Sequence, residues 1–280
     1  MFGFLGPNGA GKTTTIRMLT GLIIPDSGEV FIDGIAINKN PIAAKMKIGV
    51  IPETGNVYLD LSAKQNLTLA GRFYGITGRD LEARADYLLK EFGLAGRKDN
   101  RVRSFSRGMK QRVNVACALI HNPDILFLDE PTVGLDVRSR KLIRTIITRM
   151  NREGTTIFLT THDLEEANLL CERIGIINQG NMVALDRPEK LRSTFESARS
   201  VEISFDRPVE EEKLRGLSPL NRWEKMGDKW KLFTENPDRL VKQLTGLARE
   251  ENLTIVTLEI CRASLEEVFI KLTENKSDEG

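Results

Sequence analysis

Short apolar runs recur along the first two-thirds of the chain, and segments with helical spacing lie between several of them. The runs occupy residues 2–5, 47–51, 125–128, 157–161 and 174–177. A short, continuous apolar run is typical of a strand that is buried on both faces, and strands that alternate with helices usually form a parallel sheet. The pattern therefore predicts an α/β domain with a mainly parallel sheet and helices on its faces.

One stretch, from about residue 61 to residue 120, departs from this alternation because its spacing is helical almost throughout. Ser62 is followed three residues later by Gln65, which is the pattern of a capping box at the start of a helix. Leu88 and Leu89 indicate the apolar face of another helix. We expect a helical subdomain that is inserted between two strands of the sheet.

The pattern changes again near residue 193, where a second set of strand and helix signals begins. Because strand and helix signals are mixed here, they predict a small α+β domain with its own core. This domain is expected at residues 198–275, after a first domain at residues 1–195. The signals are alternating apolar residues at 201, 203 and 205, strand-like runs at 230–233 and 255–260, leucines at 240, 244 and 247, and a capping box from Ser264 to Glu267.

Composition narrows the class of protein. The 280 residues are 40% hydrophobic and 29% charged, with a formal net charge of +2. These values are typical of a globular protein with more than one domain, and the near-neutral charge gives no field that would attract nucleic acid. No run of about eighteen apolar residues occurs, so we expect any membrane association to come through a partner. Cys117, Cys171 and Cys261 match no metal or redox spacing and are interpreted as thiols in a reducing compartment.

The strongest local motif lies between the first apolar run and a helical segment. Its letters, GPNGAGKT at residues 6–13, match the pattern G-x-x-x-x-G-K-[ST] in full. Glycines let a backbone fold around a phosphate, and the amide hydrogens and the following helix N-terminus then face the anion. We expect Lys12 to reach the β- and γ-phosphates of a nucleotide and the Thr13 hydroxyl to bind Mg²⁺. The predicted nucleotide-binding residues in this segment are Gly6, Pro7, Asn8, Gly9, Ala10, Gly11, Lys12, Thr13 and Thr14.

Two adjacent carboxylates, Asp129 and Glu130, end the apolar run that begins at residue 125. Successive side chains of a strand point in opposite directions, so the two carboxylates need not have the same role. We expect Asp129 to hold Mg²⁺ through its water shell. Glu130 is suited to orient and polarise an attacking water.

The segment SFSRGMKQR, at residues 104–112, precedes these carboxylates. Together with the phosphate loop it resembles the ABC ATPase family, whose signature is usually written LSGGQ, and the resemblance covers nearly the whole chain. Phe105 replaces the leading leucine and Arg107 replaces the first glycine. Ser106 and Gly108 are retained, and they would supply a hydroxyl and an unobstructed amide to a γ-phosphate.

The resemblance implies a head-to-tail dimer in which the signature of one subunit faces the phosphate loop of the other, with two ATP molecules between them. It assigns Asp136, in the segment PTVGLD, to the dimer seam, and His162, in TTHD, to the γ-phosphate. Glu53 stands where the family most often has a glutamine that senses Mg²⁺ near the membrane partner, and it could contact the water shell of the metal. His121, before Asn-Pro, is interpreted as a surface loop residue.

The start of the chain departs from the family pattern. Members normally carry a few tens of residues before the phosphate loop, including an aromatic residue that stacks on adenine, but here only MFGFL precedes Gly6. Either the sequence is an N-terminal fragment or a mis-started reading frame, or adenine is held in another way; the first interpretation is favoured. The hairpin expected at residues 29–37 would then lack its usual strand partners and have open edges.

The C-terminal segment ASLEEVFIKLT, at residues 263–273, resembles the end of the drug, antibiotic and ion-export subgroup. The resemblance thus implies an ATP-binding and ATP-hydrolysing subunit that drives an exporter. Its implied partners are a second ATPase subunit, identical or related, and a separate permease at the cytoplasmic face of the cell membrane. ATP and Mg²⁺ are the implied cofactors, and no nucleic-acid partner is expected.

Three alternatives stay open at this point. A soluble ABC ATPase without a transport role, such as an iron–sulfur assembly ATPase, usually lacks a domain after residue ~200. A nucleic-acid-associated ABC protein would need a long coiled coil or two ATPase halves in one chain, and neither pattern is present. The last alternative is an inactive fragment that binds ATP poorly.

Overall fold

A computed structural model describes residues 1–194, 200–218, 220, 222–261 and 265–274 of the chain. The fold consists of two compact units, Met1–Leu185 and Asp186–Gly280. No helix within the described residues is long and apolar enough to cross a membrane. The boundary between residues 195 and 198 stays a prediction.

The first unit is built around one six-stranded sheet. Its order is β4-β5-β6-β1-β7-β8, and β1 lies in its interior, parallel to both β6 and β7. The pairs β4–β5 and β5–β6 are also parallel. The strands are β1 (Phe2–Leu5), β4 (Ile48–Ile51), β5 (Ile125–Asp129), β6 (Thr156–Thr161), β7 (Arg173–Asn178) and β8 (Asn181–Asp186). All five predicted strands are thus present, and the prediction of a mainly parallel sheet is confirmed.

Helices of the first unit connect and cover these strands, as expected for parallel strands that need crossover connections. They are α1 (Lys12–Leu19), α2 (Pro41–Met46), α3 (Ala63–Phe73), α4 (Gly78–Glu91), α5 (Arg107–Ala118), α6 (Val137–Arg152) and α7 (Leu164–Leu170).

The predicted helical insertion is confirmed, because α3, α4 and α5 all lie between β4 and β5. The capping box at the start of α3 is also present. The amide of Gln65 donates to Ser62 Oγ at 3.1 Å, and the amide of Ser62 donates to Gln65 Oε1 at 2.8 Å. Leu88 and Leu89 are buried on the inner face of α4, so the helical periodicity correctly identified the packed face.

The hairpin expected at residues 29–37 consists of two short antiparallel strands, β2 (Phe31–Ile32) and β3 (Ile35–Ala36). Ile32 and the following Ile37 are buried in a cluster with Ile16 of α1 and Phe127 of β5. The hairpin therefore packs against the core of the first unit through its apolar residues.

The second unit contains a four-stranded antiparallel sheet in the order β10-β11-β9-β12. Leu240 and Leu244 of α10 are buried against it together with Trp230, while Trp223 is partly buried at the edge of the same core. The expected α+β character is confirmed, but the capping residue Ser264 lies outside the described residues. The elements are α8 (Pro188–Thr194), β9 (Ser200–Phe205), α9 (Glu211–Arg215), β10 (Arg222–Met226), β11 (Lys229–Phe233), α10 (Pro237–Glu250), β12 (Ile255–Cys261) and α11 (Leu265–Glu274).

Candidate active site

The loop between β1 and α1 contains glycines in backbone conformations that would be strained for any residue with a Cβ. Gly9 has a φ of 81° and Gly11 has a φ of 109°, both in the left-handed region. Ala10 is buried, and its amide donates to the carbonyl of Pro7 at 3.2 Å, which closes a turn. The loop thus curls back over the N-terminus of α1, where unpaired amide hydrogens face the enclosed space.

Lys12, the first residue of α1, lies inside this curl. Its Nζ donates to the carbonyl oxygens of Gly6 at 2.7 Å and Pro7 at 3.2 Å. The same nitrogen lies 3.8 Å from Oε1 of Glu130, and both side chains are only 8% exposed. A buried ammonium group held mainly by carbonyl oxygens can exchange these contacts for an anion at low cost.

Asp129, at the end of β5, is fixed by hydroxyl groups on both of its carboxylate oxygens. Thr13 Oγ1 donates to Oδ2 at 2.9 Å, and Thr160 Oγ1 donates to Oδ1 at 2.6 Å. The carboxylate is buried and its orientation is set from both sides. The structure therefore brings together Thr13 and Asp129, two of the three groups that the sequence assigned to the metal ion, in a set of oxygen donors that suits Mg²⁺.

Glu130 adopts a φ of 50°, which is rare for a residue with a Cβ and costs on the order of 1 kcal/mol. Its amide donates to the main-chain oxygen of Thr160 at 3.1 Å, which holds the backbone in this conformation. The carboxylate bridges two groups, with Oε1 near Lys12 and Oε2 at 2.9 Å from Nδ1 of His162. The left-handed turn therefore directs Glu130 at the phosphate loop, whereas Asp129 points at Thr13.

His162 follows β6 and is 57% exposed, so it lies at the mouth of the site rather than within it. Below it, the buried carboxylate of Glu166 accepts hydrogen bonds from Thr132, Thr161 and Arg144. This network was missed by the sequence analysis, and so was the role of Thr160 in orienting Asp129. Only the adjacent threonines in the segment TTHD gave any signal of it.

These residues surround a cleft of about 460 Å³. Most of the predicted nucleotide-binding residues line it, Glu53 among them, together with Val133, for which the sequence predicted no role. The lining residues are Asn8, Gly9, Gly11, Lys12, Thr13, Thr14, Glu53, Glu130, Val133 and His162. The cleft opens beside a loop of amide hydrogens, a buried cation and a directed carboxylate, which is the arrangement of a nucleoside triphosphatase of the phosphate-loop class.

Gly6, Pro7 and Ala10 belong to the phosphate loop but do not line the cleft. The last three predicted residues form a separate group, which we call the signature surface: Ser106, Asp136 and the buried Gly108. Ser106 is exposed and caps α5, where its Oγ accepts from the amide of Met109 at 3.3 Å. Asp136 caps α6 and accepts from the amide of Ser139 at 2.9 Å and from its hydroxyl at 2.8 Å. These hydrogen bonds from Ser139 lower the pKa of Asp136. None of the three residues lines the cleft.

His121 lies in the turn that follows α5, as the sequence predicted, but it is half-buried and not on the open surface. Its ring stacks on Tyr74, with centroids 3.5 Å apart and planes 3° from parallel, and Nε2 lies 2.9 Å from the carbonyl oxygen of Ile48. Burial lowers the pKa of His121. The ring of His121 therefore packs in the turn after α5, which the neighbouring Asn-Pro pair had correctly indicated.

Comparisons with known proteins identify the class more closely. The family model described as "ABC transporter" matches residues 1–133. The linearmycin resistance ATP-binding protein LnrL of Bacillus subtilis is 36% identical over 97% of this chain and 89% of its own length. The Nod factor export ATP-binding protein I of Cupriavidus metallidurans is 40% identical over 97% of this chain and 88% of its own length.

A solved structure, the dimeric post-hydrolysis state of an ATP-binding cassette bound to ADP and Pi, matches with a TM-score of 0.62 and 29% identity. The match covers 67% of this chain and 84% of that one. The chain therefore belongs to the family of ABC transporter ATP-binding proteins. It is an ATP-binding and ATP-hydrolysing subunit, and the resemblance drawn from the signature segment is confirmed.

Proposed function

We propose that this chain powers an exporter by hydrolysing ATP between two ATPase subunits, and that Glu130 is its catalytic base. The observation that carries the proposal is the line of contacts from Lys12 through Glu130 to His162 across the cleft. A cation for the phosphates, a carboxylate for the water and a second polar group thus follow one another across the cleft, at the start of α1 and after β5 and β6. In-line attack on a γ-phosphate needs these groups in this order.

The reaction follows from the exchange of partners at Lys12. Its Nζ leaves the carbonyl oxygens of Gly6 and Pro7 and binds the β- and γ-phosphates of ATP. Glu130 then loses its cationic neighbour, and its carboxylate accepts a proton from the attacking water. Nδ1–H of His162 donates to Oε2, which holds the carboxylate at the correct angle while Oε1 faces the water. The backbone of Glu130, held by its hydrogen bond to Thr160, sets the direction in which the side chain leaves the main chain.

Thr13 and Asp129 would hold Mg²⁺, and Glu53 at the rim of the cleft would contact its water shell. The donors fit this ion, because a hydroxyl and a carboxylate lie 2.9 Å apart beside the phosphate loop, and magnesium favours a few protein oxygens together with substrate phosphates. When bound, the ion neutralises charge on the phosphates. The second hydrogen bond of Asp129, from Thr160, holds Oδ1, so Oδ2 beside Thr13 would be the carboxylate oxygen available to the ion.

The second ATPase subunit would be a copy of this chain or a related one. Ser106 is exposed at the N-terminus of α5, so its hydroxyl and the first amides of the helix can bind an anion that approaches from outside. We infer that Ser106 and Gly108 of one subunit close over the ATP in the cleft of the other, with Asp136 beside the seam. Hydrolysis removes the phosphate that links the subunits, and they reopen.

The permease partner would bind the helical insertion. A groove of about 340 Å³ lies there between α3, the end of α5 and the segment after β4, with Phe73 72% exposed and Tyr58 53% exposed at its edge. Exposed aromatic residues beside a groove are typical of a site for a partner helix. The segment after β4 also carries Glu53, so movement of a docked helix can reach the cleft. The permease would hold the subunit at the cytoplasmic face of the membrane.

Export is the direction that the two curated relatives support, because one is named for resistance to linearmycin and the other for export of Nod factor. The transported compound would be selected by the permease. The likeness of both relatives extends over 97% of this chain, so it includes the second unit as well as the ATPase unit.

The decisive experiment is Glu130→Gln in the full chain. Because the amide keeps the shape but cannot accept the proton, we expect kcat to fall by about 10³-fold while ATP still drives dimer formation. Light scattering with and without ATP and a phosphate-release assay measure both quantities. Glu153→Gln, an exposed carboxylate at the end of α6, is the control and keeps parental turnover. Parental turnover by Glu130→Gln would show that another group is the base.

A further inference from the structure

Arg107 stands in the signature segment where the related motif has a glycine, and the proposed function gives it no role. It is the first residue of α5, between the capping Ser106 and the buried Gly108. Its guanidinium lies directly on Gly134, so closely that a methyl group on this glycine would overlap Cζ and both terminal nitrogens. Arg107 forms no ion pair with any carboxylate of the described residues. Its position is therefore set by packing on Gly134.

Gly134 belongs to the loop that joins the catalytic strand β5 to α6, residues 130–136, which we call the connecting loop. It is exposed and has a φ of 68°. The loop folds as two successive turns, in which the amide of Val133 donates to the carbonyl of Glu130 and that of Leu135 donates to Thr132, both at 3.3 Å. Val133 lines the nucleotide cleft. A shift of Gly134 would therefore be transmitted to the cleft and to the backbone of Glu130.

Helix α5 also holds both ends of the connecting loop. Nε2 of Gln111 donates to the carbonyl of Pro131 at 3.0 Å near the start of the loop. NH2 of Arg112 donates to Ser139 Oγ at 3.0 Å, and Ser139 in turn donates to Asp136. Arg107 adds a contact at the tip, between these two attachments. The start of α5 and the connecting loop are thus joined at three points.

We propose that Arg107 is a positioning residue that fixes the tip of the connecting loop to the signature helix. The proposal rests on the proposed function, in which Ser106 and Gly108 act on the ATP of a second subunit. When they bind that ATP, movement of α5 reaches Gly134 through the guanidinium, and then Val133 and Glu130 in the subunit's own cleft. Arg107 thereby couples hydrolysis at the two sites of the dimer. A glycine at position 107 could not make this contact.

The planar guanidinium, rather than its charge, is what this role requires. A guanidinium is flat and weakly hydrated on its faces, so it packs on a peptide surface, whereas the ammonium of lysine is a compact and strongly hydrated charge. Arg107→Lys therefore separates the coupling role from a direct contact with a phosphate. Coupling predicts that lysine does not restore the parent, and a phosphate contact predicts that it does.

The test is a double-mutant cycle with Arg107→Ala and Gly134→Asn in the full chain. Asparagine tolerates the left-handed φ at position 134, and its side chain would displace the guanidinium. We expect each single variant to lower kcat for ATP about tenfold and the Hill coefficient for ATP towards one. If the two residues act through each other, the double variant falls no further than the worse single variant. ATP affinity in the absence of dimerisation should stay parental, since neither residue lines the cleft.

Arg101→Ala is the matched control, because it removes an exposed arginine close to the signature segment without touching the connecting loop. Thermal melting tests whether each variant folds. If Gly134→Asn does not fold, the two single variants Arg107→Ala and Arg107→Lys still decide the question. The inference is overturned by parental kcat and Hill coefficient in Arg107→Ala, by full rescue with lysine, or by multiplicative effects in the double variant. If the parent itself shows no ATP-driven dimer, the proposed function fails and the inference fails with it.

Discussion

The cleft and the signature surface belong to the same unit, yet they differ in how complete they are. In the cleft, Lys12 faces Glu130 and His162 is hydrogen-bonded to the same carboxylate, so most charges already have partners. On the signature surface, Ser106 is exposed and its hydroxyl is used only to cap a helix. The difference is what the proposed function requires: a cleft that binds the nucleotide within one subunit, and a signature surface that acts when a second subunit meets it.

The physical origin of the two regions explains this contrast. The cleft forms where parallel strands end, and the loops that follow β1, β5 and β6 converge on one edge of the sheet. Their side chains meet and satisfy one another. The signature surface is formed by the N-termini of α5 and α6, whose first amides have no partner within their helices. Such amides attract an anion, and here the anion would have to come from outside the subunit.

The strongest test of the comparison is Lys12→Met, which removes the cation from the cleft and leaves the signature surface unchanged. We expect ATP affinity to fall at least about 100-fold, because the buried phosphate site then lacks the ammonium group of Lys12 and the carboxylate of Glu130 repels the nucleotide. Titration with a fluorescent ATP analogue measures the dissociation constant. Lys39→Met, at an exposed lysine, is the control. A parental dissociation constant in Lys12→Met would show that Lys12 does not bind the phosphates of ATP in the cleft.

A second, smaller effect is expected from Ser106→Ala on the signature surface. In the proposed function the hydroxyl contacts ATP only in the closed dimer. We therefore expect kcat to fall about tenfold while the affinity of the separate subunit for ATP is unchanged. The matched control is Ser62→Ala, because Ser62 also caps a helix, with its Oγ accepting at 3.1 Å from Gln65.

Both serine variants should lose about 1 kcal/mol of stability through the lost cap. Chemical denaturation measures this loss, and phosphate release measures turnover. Only Ser106→Ala should lose turnover. Equal turnover losses in the two variants would mean that Ser106 acts merely as a helix cap, and the two regions would then not be complementary.

The sequence was sufficient for the features whose chemistry is local. The glycine spacing at residues 6–13 predicted the phosphate loop, because positive φ angles and a lysine at a helix start need no distant partner. The apolar runs predicted the strands for the same reason. The order of the strands in the sheet was not predicted, since periodicity carries no information about which strands pair.

Contacts between residues far apart in sequence could not be predicted. The φ of 50° at Glu130 depends on Thr160, thirty positions later, which accepts from its amide at 3.1 Å and 3.2 Å through its main-chain and hydroxyl oxygens. The packing of Arg107 on Gly134 depends on how α5 meets the connecting loop. In sequence, Arg107 was only a departure from a motif. Such features decide the geometry of a site but leave no periodic or spacing signal.

The smallest expected effect concerns the other end of α5, where His121 stacks on Tyr74. Burial, together with the nearby Arg84, lowers the pKa of His121 below the ordinary value of 6.5. Below that pH the unfolded chain binds a proton that the folded chain does not, so this histidine destabilises the fold as the pH falls from 6.5 towards its folded pKa. His121→Gln should cost about 1 kcal/mol at pH ~8, through the lost stack, and make stability less dependent on pH below neutrality.

Urea denaturation of the parent and of His121→Gln between about pH 5 and pH 8 measures this dependence. Tyr74→Phe is the control, because phenylalanine keeps the stack and should leave the slope of the parent unchanged. An unchanged slope in His121→Gln would mean that the imidazole is not held neutral by burial. A changed slope with parental ATPase activity at pH ~8 would show that the packing of His121 after the C-terminal end of α5 does not affect catalysis. The two ends of this helix would then contribute independently, one to stability and the other to activity.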